Sequence, residues 1–214
     1  MEVLFLTSAG VSNSVIRDEL LKLLYKPQSQ LKLAYITTAS KVEERATYVD
    51  RDRKVLADIG FQIEEFDIAG KKERGLREAF LDKDILYVQG GNTFYLLKQV
   101  KESGFDKVVR EMVKGGKIYI GVSAGSYIAC PSIEVSTWGR SSETVNNYGL
   151  SDLRAMNLVP FLLSVHYNRE KYRDGLAEGI AKSKYLVKIL TDDQALLVVD
   201  GVPKLIGLGD EVAI

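Results

Sequence analysis

Short apolar runs alternate with longer amphipathic stretches along most of the chain. Val3–Leu6, Leu31–Ile36, Ile85–Val88 and Ile118–Val122 are brief, largely apolar and bounded by turn residues, with Ile63–Phe66 as a further short run. That pattern predicts buried strands. Between them, Val15–Leu24, the charged stretch Val42–Ile59, Arg74–Phe80, a segment from about Thr93, and Phe105–Val113 read as helices. Pro27, Gly60 and Gly115-Gly116 supply stop signals. Apolar strands separated by helices imply a mainly parallel sheet with helices on both faces. The C-terminal stretch "ALLVVDGVPKLIGLG" differs, placing two strand-like runs around Asp200-Gly201, which predicts an antiparallel hairpin. Residues Ser132–Asn157 are polar and irregular and are expected to form a long loop or flap. Neither a repeat nor a low-complexity linker divides the chain, so residues 1–214 are read as a single α/β domain.

Composition narrows the function classes. Lys+Arg and Asp+Glu both number 29, for a formal net charge of zero. No general attraction to nucleic acid or to an anionic membrane follows. The single cysteine, Cys130, rules out an intrachain disulfide and suits a reducing compartment. "MEVLFLTSAG" lacks a basic leading region and reads as a first buried strand, and no apolar run approaches a membrane span. A soluble cytoplasmic protein is the expectation. One histidine and one cysteine cannot build the usual His/Cys zinc site, and no carboxylate spacing points to another metal.

Ligands of open α/β sheets bind beyond the carboxyl ends of the strands. Three features fall there: Gly90-Gly91-Asn92, Ser123 and His166. Gly121-x-Ser123-x-Gly125, between a strand and an expected helix, fits a nucleophile elbow, a strained turn that tolerates only small neighbours. The N–H of Ala124 would face a developing oxyanion. The competing reading is a Gly-Ser-Ala turn packed closely on the sheet. A serine hydroxyl needs a base, and His166 is the one histidine in the chain. Asp192 and Asp193 follow the strand-like "YLVKIL" and are candidates for the acid that orients it, although a turn between strands also favours Asp. Asn92 caps the following helix or contributes to substrate binding, and Gly91 supplies a turn, a second oxyanion donor, or both. Cys130, seven residues beyond Ser123 and about 10 Å along a helix, reads as a buried structural thiol.

"QGGNTFYLL", "GVSAGSYIACPSI" and the isolated "HYN" together resemble the peptidase E group of serine peptidases, which includes aspartyl dipeptidases and cyanophycinases. The resemblance runs from "LAYITTAS" to "DDQALLVVDG". It implies a flavodoxin-like sheet related to class I glutamine amidotransferases, no metal or cofactor, and a short peptide as partner. Members are often dimers, so a homodimer is a candidate assembly. Carried over by position, Ser123 is the nucleophile, His166 the base, and Gly91 and Ala124 the oxyanion donors. Asp192 takes the place of the third member, where relatives often carry Glu. Some members have an Asp fifteen residues after the nucleophile, where this chain has Trp138. Aspartyl dipeptidases hold an acidic substrate side chain with basic residues. Arg169 and Arg173 are candidates for that role, against a slightly favoured reading as a solvated helix face.

The leading expectation is therefore a serine exopeptidase or dipeptidase. An esterase or amidase with the same triad would turn over small esters without cutting peptides. A non-catalytic binding protein on this scaffold would bind a small ligand at the same strand ends. A glutamine amidotransferase is disfavoured, because the elbow carries Ser where that chemistry uses Cys.

Overall fold

The computed structural model describes residues 1–138 and 147–214, and of 169–172 the backbone alone. Strands β1 (Val3–Thr7), β2 (Lys32–Ile36), β3 (Gln62–Phe66), β4 (Ile85–Val88) and β5 (Ile118–Val122) pair in parallel. β8 (Gln194–Val199) runs antiparallel to β1, and β9 (Val202–Gly207) antiparallel to β8. The resulting order is β3-β2-β4-β5-β1-β8-β9. Counted from β2, this is the doubly wound flavodoxin-like arrangement, with the N-terminal strand in the fifth place. The expected hairpin turns at Asp200-Gly201.

Alternation along each strand feeds two cores. On β1, Leu4 and Leu6 join Leu76 and Phe80 of α3 (Glu73–Phe80), Leu97 of α4 (Thr93–Ser103), Val109 of α5 (Phe105–Lys114) and Tyr127 of α6 (Ala124–Ala129). Val3 and Phe5 face the other way, toward Ile16 and Leu20 of α1 (Ser14–Lys22) and Leu56 of α2 (Thr47–Ile59). Helices thus cover both faces, and no helix among the described residues is long and apolar enough to cross a membrane.

Two features depart from the sequence pattern. The helix expected over Val42–Ile59 begins at Thr47, after a 3₁₀ turn over Thr38–Ser40. The stretch before it turns instead, with the Glu43 N–H donating to Ser40 O at 3.1 Å, while the Asn92 N–H holds Ala39 O at 2.9 Å beside the Gly90-Gly91 turn. The runs around Leu162 and Val187 do not join the main sheet. β6 (Leu162–Ser164) and β7 (Val187–Ile189) form a separate parallel pair, connected by α7 (Arg169–Lys182). Leu162 and Leu163 pack into the core beneath α6. Within the expected loop Ser132–Asn157, Glu134–Thr137 form a 3₁₀ turn and Ser132 bridges Arg154, while residues 139–146 lie outside the described residues.

Because β4, β5 and β1 are neighbours in the sheet, their carboxyl ends present Gly90-Gly91, Ser123 and Thr7-Ser8 side by side. The end of β6 brings in His166, and the segment after β7 brings in Asp192.

Candidate active site

Ser123 links β5 to α6 with φ 48° and ψ −107°, a conformation L-residues seldom adopt. Such strain costs on the order of 1–3 kcal/mol and persists only where surrounding contacts enforce it. Here they do. The Ser123 N–H donates to Thr7 O at 3.1 Å, and the Ser126 hydroxyl reaches Thr7 O at 2.8 Å. The Tyr119 hydroxyl donates to Gly125 O at 2.7 Å. A Cβ on Gly121 would lie 2.8 Å from the Gly125 carbonyl carbon, and one on Gly125 would lie 2.1 Å from Val88 O. The small residues around the hydroxyl are therefore what let the turn close onto the sheet.

His166 is the partner of this serine in space. Its Nε2 lies 2.9 Å from Ser123 Oγ, and its Nδ1 lies 2.6 Å from Asp192 Oδ1. The hydrogen bond from His166 is the main influence holding the Asp192 carboxyl below its ordinary range; burial opposes it, and a hydroxyl from Ser8 adds to it. An ionised carboxylate can only accept, so the imidazole proton belongs on Nδ1. The Nε2 lone pair is then left facing the Ser123 hydroxyl. Asp193 points elsewhere, with its Oδ1 accepting from Asn13 Nδ2 at 3.1 Å.

Gly91 has φ 134°, and a Cβ there would lie 2.5 Å from the Ala39 carbonyl. The N–H groups of Gly91 and Ala124 meet no acceptor among the described residues. Asn92 caps α4 by accepting from the Tyr95 N–H at 2.9 Å. Cys130 is fully buried, and burial pushes its thiol up to about 12. Trp138 packs over Gly179 of α7, where a Cβ would lie 2.1 Å from the indole. Arg173 is exposed on α7, and the side chain of Arg169 lies outside the described residues.

A cavity of about 430 Å³ opens onto Ser123, His166 and Asp192, a size suited to a small ligand. Its wall includes Glu43, Tyr48, Arg51, Asp52 and Gln89, residues the sequence pattern did not single out. Asp52 is buried, which raises its carboxyl even though Gln89 Nε2 donates to it at 2.9 Å and Arg51 Nε at 3.3 Å. Ser8 also lines the cavity and was missed. The sequence marked only its position, a small polar residue just past the carboxyl end of a predicted parallel strand, and not its partners far along the chain. No three His, Cys, Asp or Glu side chains among the described residues converge as metal ligands would.

The model of peptidase family S51 matches residues 4–206. An uncharacterized peptidase of Listeria monocytogenes is 36% identical over 178 residues, spanning 81% of this chain and 82% of the relative. A peptidase E of Shewanella denitrificans is 30% identical over 173 residues, spanning 78% and 68% of the two chains. Among solved structures, a protein from Listeria monocytogenes EGD-e assigned as a candidate peptidase E superposes with a TM-score of 0.83. That match is 30% identical and covers 98% of this chain and 100% of the other.

Proposed function

The chain belongs to peptidase family S51 and is a serine-type peptidase, and on this premise we propose that it is an exopeptidase or dipeptidase that hydrolyses short peptides through Ser123, His166 and Asp192. The observation that carries this reading is the unbroken run of contacts from Ser123 Oγ to His166 Nε2 at 2.9 Å and from His166 Nδ1 to Asp192 Oδ1 at 2.6 Å. In the proposed reaction, Ser123 Oγ attacks the scissile carbonyl while His166 Nε2 takes its proton. Asp192 keeps the Nδ1 proton in place and stabilises the imidazolium. The N–H groups of Gly91 and Ala124 receive the negative charge that forms on the carbonyl oxygen. His166 passes its proton to the leaving amine, and water then releases the acyl group by the same steps in reverse order. The strain at Ser123 supports this assignment, since strained backbone clusters at reacting groups. The cavity volume supports a short substrate.

The test is a dipeptide-library screen of the wild type beside Ser123→Ala, together with labelling by a fluorophosphonate. The expected result is a covalent adduct on Ser123 by mass spectrometry and a loss of about 10⁴- to 10⁶-fold in Ser123→Ala. An adduct elsewhere, or full activity in the variant, overturns the reading. Ester turnover without peptide cleavage would move the assignment to an esterase.

A further inference from the structure

Ser8 takes part in more of the site's hydrogen bonds than its position, one residue past β1, suggests. Its hydroxyl donates to Asp192 Oδ1 at 2.7 Å. The same oxygen accepts the backbone N–H of His166 at 2.8 Å. A serine hydroxyl has one proton and two lone pairs, so both bonds form together. The distance from Ser8 Oγ to His166 Nδ1 is longer, at 3.4 Å. His166 itself has φ 58°, so its backbone needs an outside hold just as Ser123 does. Ser8 is fully buried, whereas the side chains of His166 and Asp192 are 40% and 61% exposed. The preceding residue, Thr7, is the acceptor for the Ser123 N–H and the Ser126 hydroxyl. Two adjacent residues at the end of β1 thus touch the elbow on one side and the imidazole and carboxylate on the other.

From this arrangement we infer that Ser8 is a positioning residue that sets His166 and Asp192 against Ser123. The inference rests on the proposed roles of those three residues. Asp192 stands on an exposed turn, and the β6–β7 pair that carries His166 is not hydrogen-bonded to the main sheet. The backbone nearby has other ties, the Ser8 N–H on Gln194 O at 3.4 Å and the Val165 N–H on the Tyr127 hydroxyl at 3.3 Å, but the Ser8 hydroxyl joins the Asp192 carboxylate and the His166 N–H to the end of β1 at one atom. Without it, the carboxylate would sample other rotamers, and the imidazole would lose both its backbone anchor and its fixed proton. The substrate would still bind the same wall, so the loss belongs in kcat.

The experiment compares Ser8→Ala, Ser8→Thr and Ser8→Cys with the wild type. Because His166 is the one histidine in the chain, ¹⁵N-histidine labelling reports its tautomer without assignment. In the wild type, the expected spectrum is a single Nδ1–H form with a downfield Nδ1 proton. Ser8→Ala is expected to lower kcat by about 10- to 10²-fold, the cost of a misplaced catalytic group, with KM within about twofold. Its Nδ1 proton signal should broaden or vanish, and the two ring nitrogens should move toward averaged shifts. Ser8→Thr keeps the hydroxyl and should recover both the signal and most of kcat. Ser8→Cys keeps the volume with only a weak donor; it is expected to lose kcat and the Nδ1 signal as Ser8→Ala does, and it decides the test if Ser8→Ala folds poorly. Wild-type kcat in Ser8→Ala overturns the inference. So does an equal loss with the His166 spectrum unchanged, which would mean a merely structural serine. The fluorophosphonate adduct on Ser123 tests the underlying roles separately, because the His166 spectrum of Ser8→Ala is read without turnover.

Discussion

Ser123 and Asp192 stand two contacts apart across one imidazole, yet their surroundings have little in common. Ser123 is fixed by its own chain. The backbone on either side lies in a fully buried strand and a buried helix, and the glycines at 121 and 125 admit one close path through the turn. Asp192 follows a three-residue strand, its side chain is mostly exposed, and its partners lie far away in sequence, at His166 and Ser8. Ser123 is thus held by local covalent geometry and close packing. Asp192 and His166 are held by a few hydrogen bonds between distant segments. The first kind of constraint belongs to the folded core and fails with it. The second can be cut while the fold survives.

The sharpest way to break the Ser123 half is Gly125→Ala. The new methyl would overlap the Val88 carbonyl, a backbone atom that cannot rotate away. Overpacking of this kind costs about 3 kcal/mol or more when the backbone must move. For a domain of this size that lowers the melting temperature by about 6–12 °C. Calorimetry should show this drop together with loss of activity. By contrast, Asp192→Ala, on the loosely held half, removes hydrogen bonds to Ser8 and His166 worth about 1 kcal/mol and should lower the melting temperature by about 2–4 °C. Equal thermal effects of the two substitutions would remove the distinction between the halves.

The Asp192–His166 half should break chemically instead. Asp192→Asn is expected to keep the fold and lower kcat by about 10²- to 10⁴-fold, the upper end matching loss of the orienting carboxylate in a known triad. Asp193→Asn should lose less than about tenfold, because its carboxylate meets Asn13 and not His166. The reverse ranking would transfer the role to Asp193. The pH dependence follows the same contact. The folded Asp192 carboxyl lies below its ordinary range, so the stabilisation it brings is present above that range, near pH 4. It disappears as pH falls through the folded value. Acid unfolding of Asp192→Asn should therefore lack this component.

The same division explains what could be read from the chain. The close turn at Ser123 was legible because Gly121, Ser123 and Gly125 are close in sequence and their smallness has one steric cause. The parallel strands and the C-terminal hairpin were legible because burial on both faces and the Asp200-Gly201 turn leave direct compositional marks. The late start of α2 was not, because the turns that precede it sit against the distant Gly90-Gly91 segment, through Ala39 and Tyr48, in contacts that no local pattern encodes. Ser8 escaped for the same reason: its meaning lies in contacts with His166 and Asp192, more than 150 residues away in the chain. The separation of β6 and β7 from the main sheet was likewise hidden, since short apolar strands look alike whichever sheet they join.

Charge offers the finest division between the two halves. The wall beside Ser123 carries Glu43 and Asp52 against Arg51, the one arginine lining the cavity among the described residues. Arg51 is already partly committed, with its Nε on Asp52. Arg173, by contrast, lies on α7 beyond His166, exposed and away from that wall. An acidic side chain at the substrate's N-terminal residue would meet more negative than positive charge on this wall, counting Asp192 as well. Like charges a few ångströms apart near a protein surface repel by about 1–4 kcal/mol before screening. We therefore expect Asp-leading dipeptides to be cut no faster, in kcat/KM, than Gly- or Leu-leading ones. Arg51→Ala should lower kcat/KM for Asp-leading substrates a further few-fold, by removing the cation that offsets the repulsion. Arg173→Ala should change all three by no more than about twofold, as expected for a solvated helix face. A preference for Asp of tenfold or more that disappears in Arg173→Ala would reverse this, and would place substrate selection on α7 rather than on the wall beside Ser123.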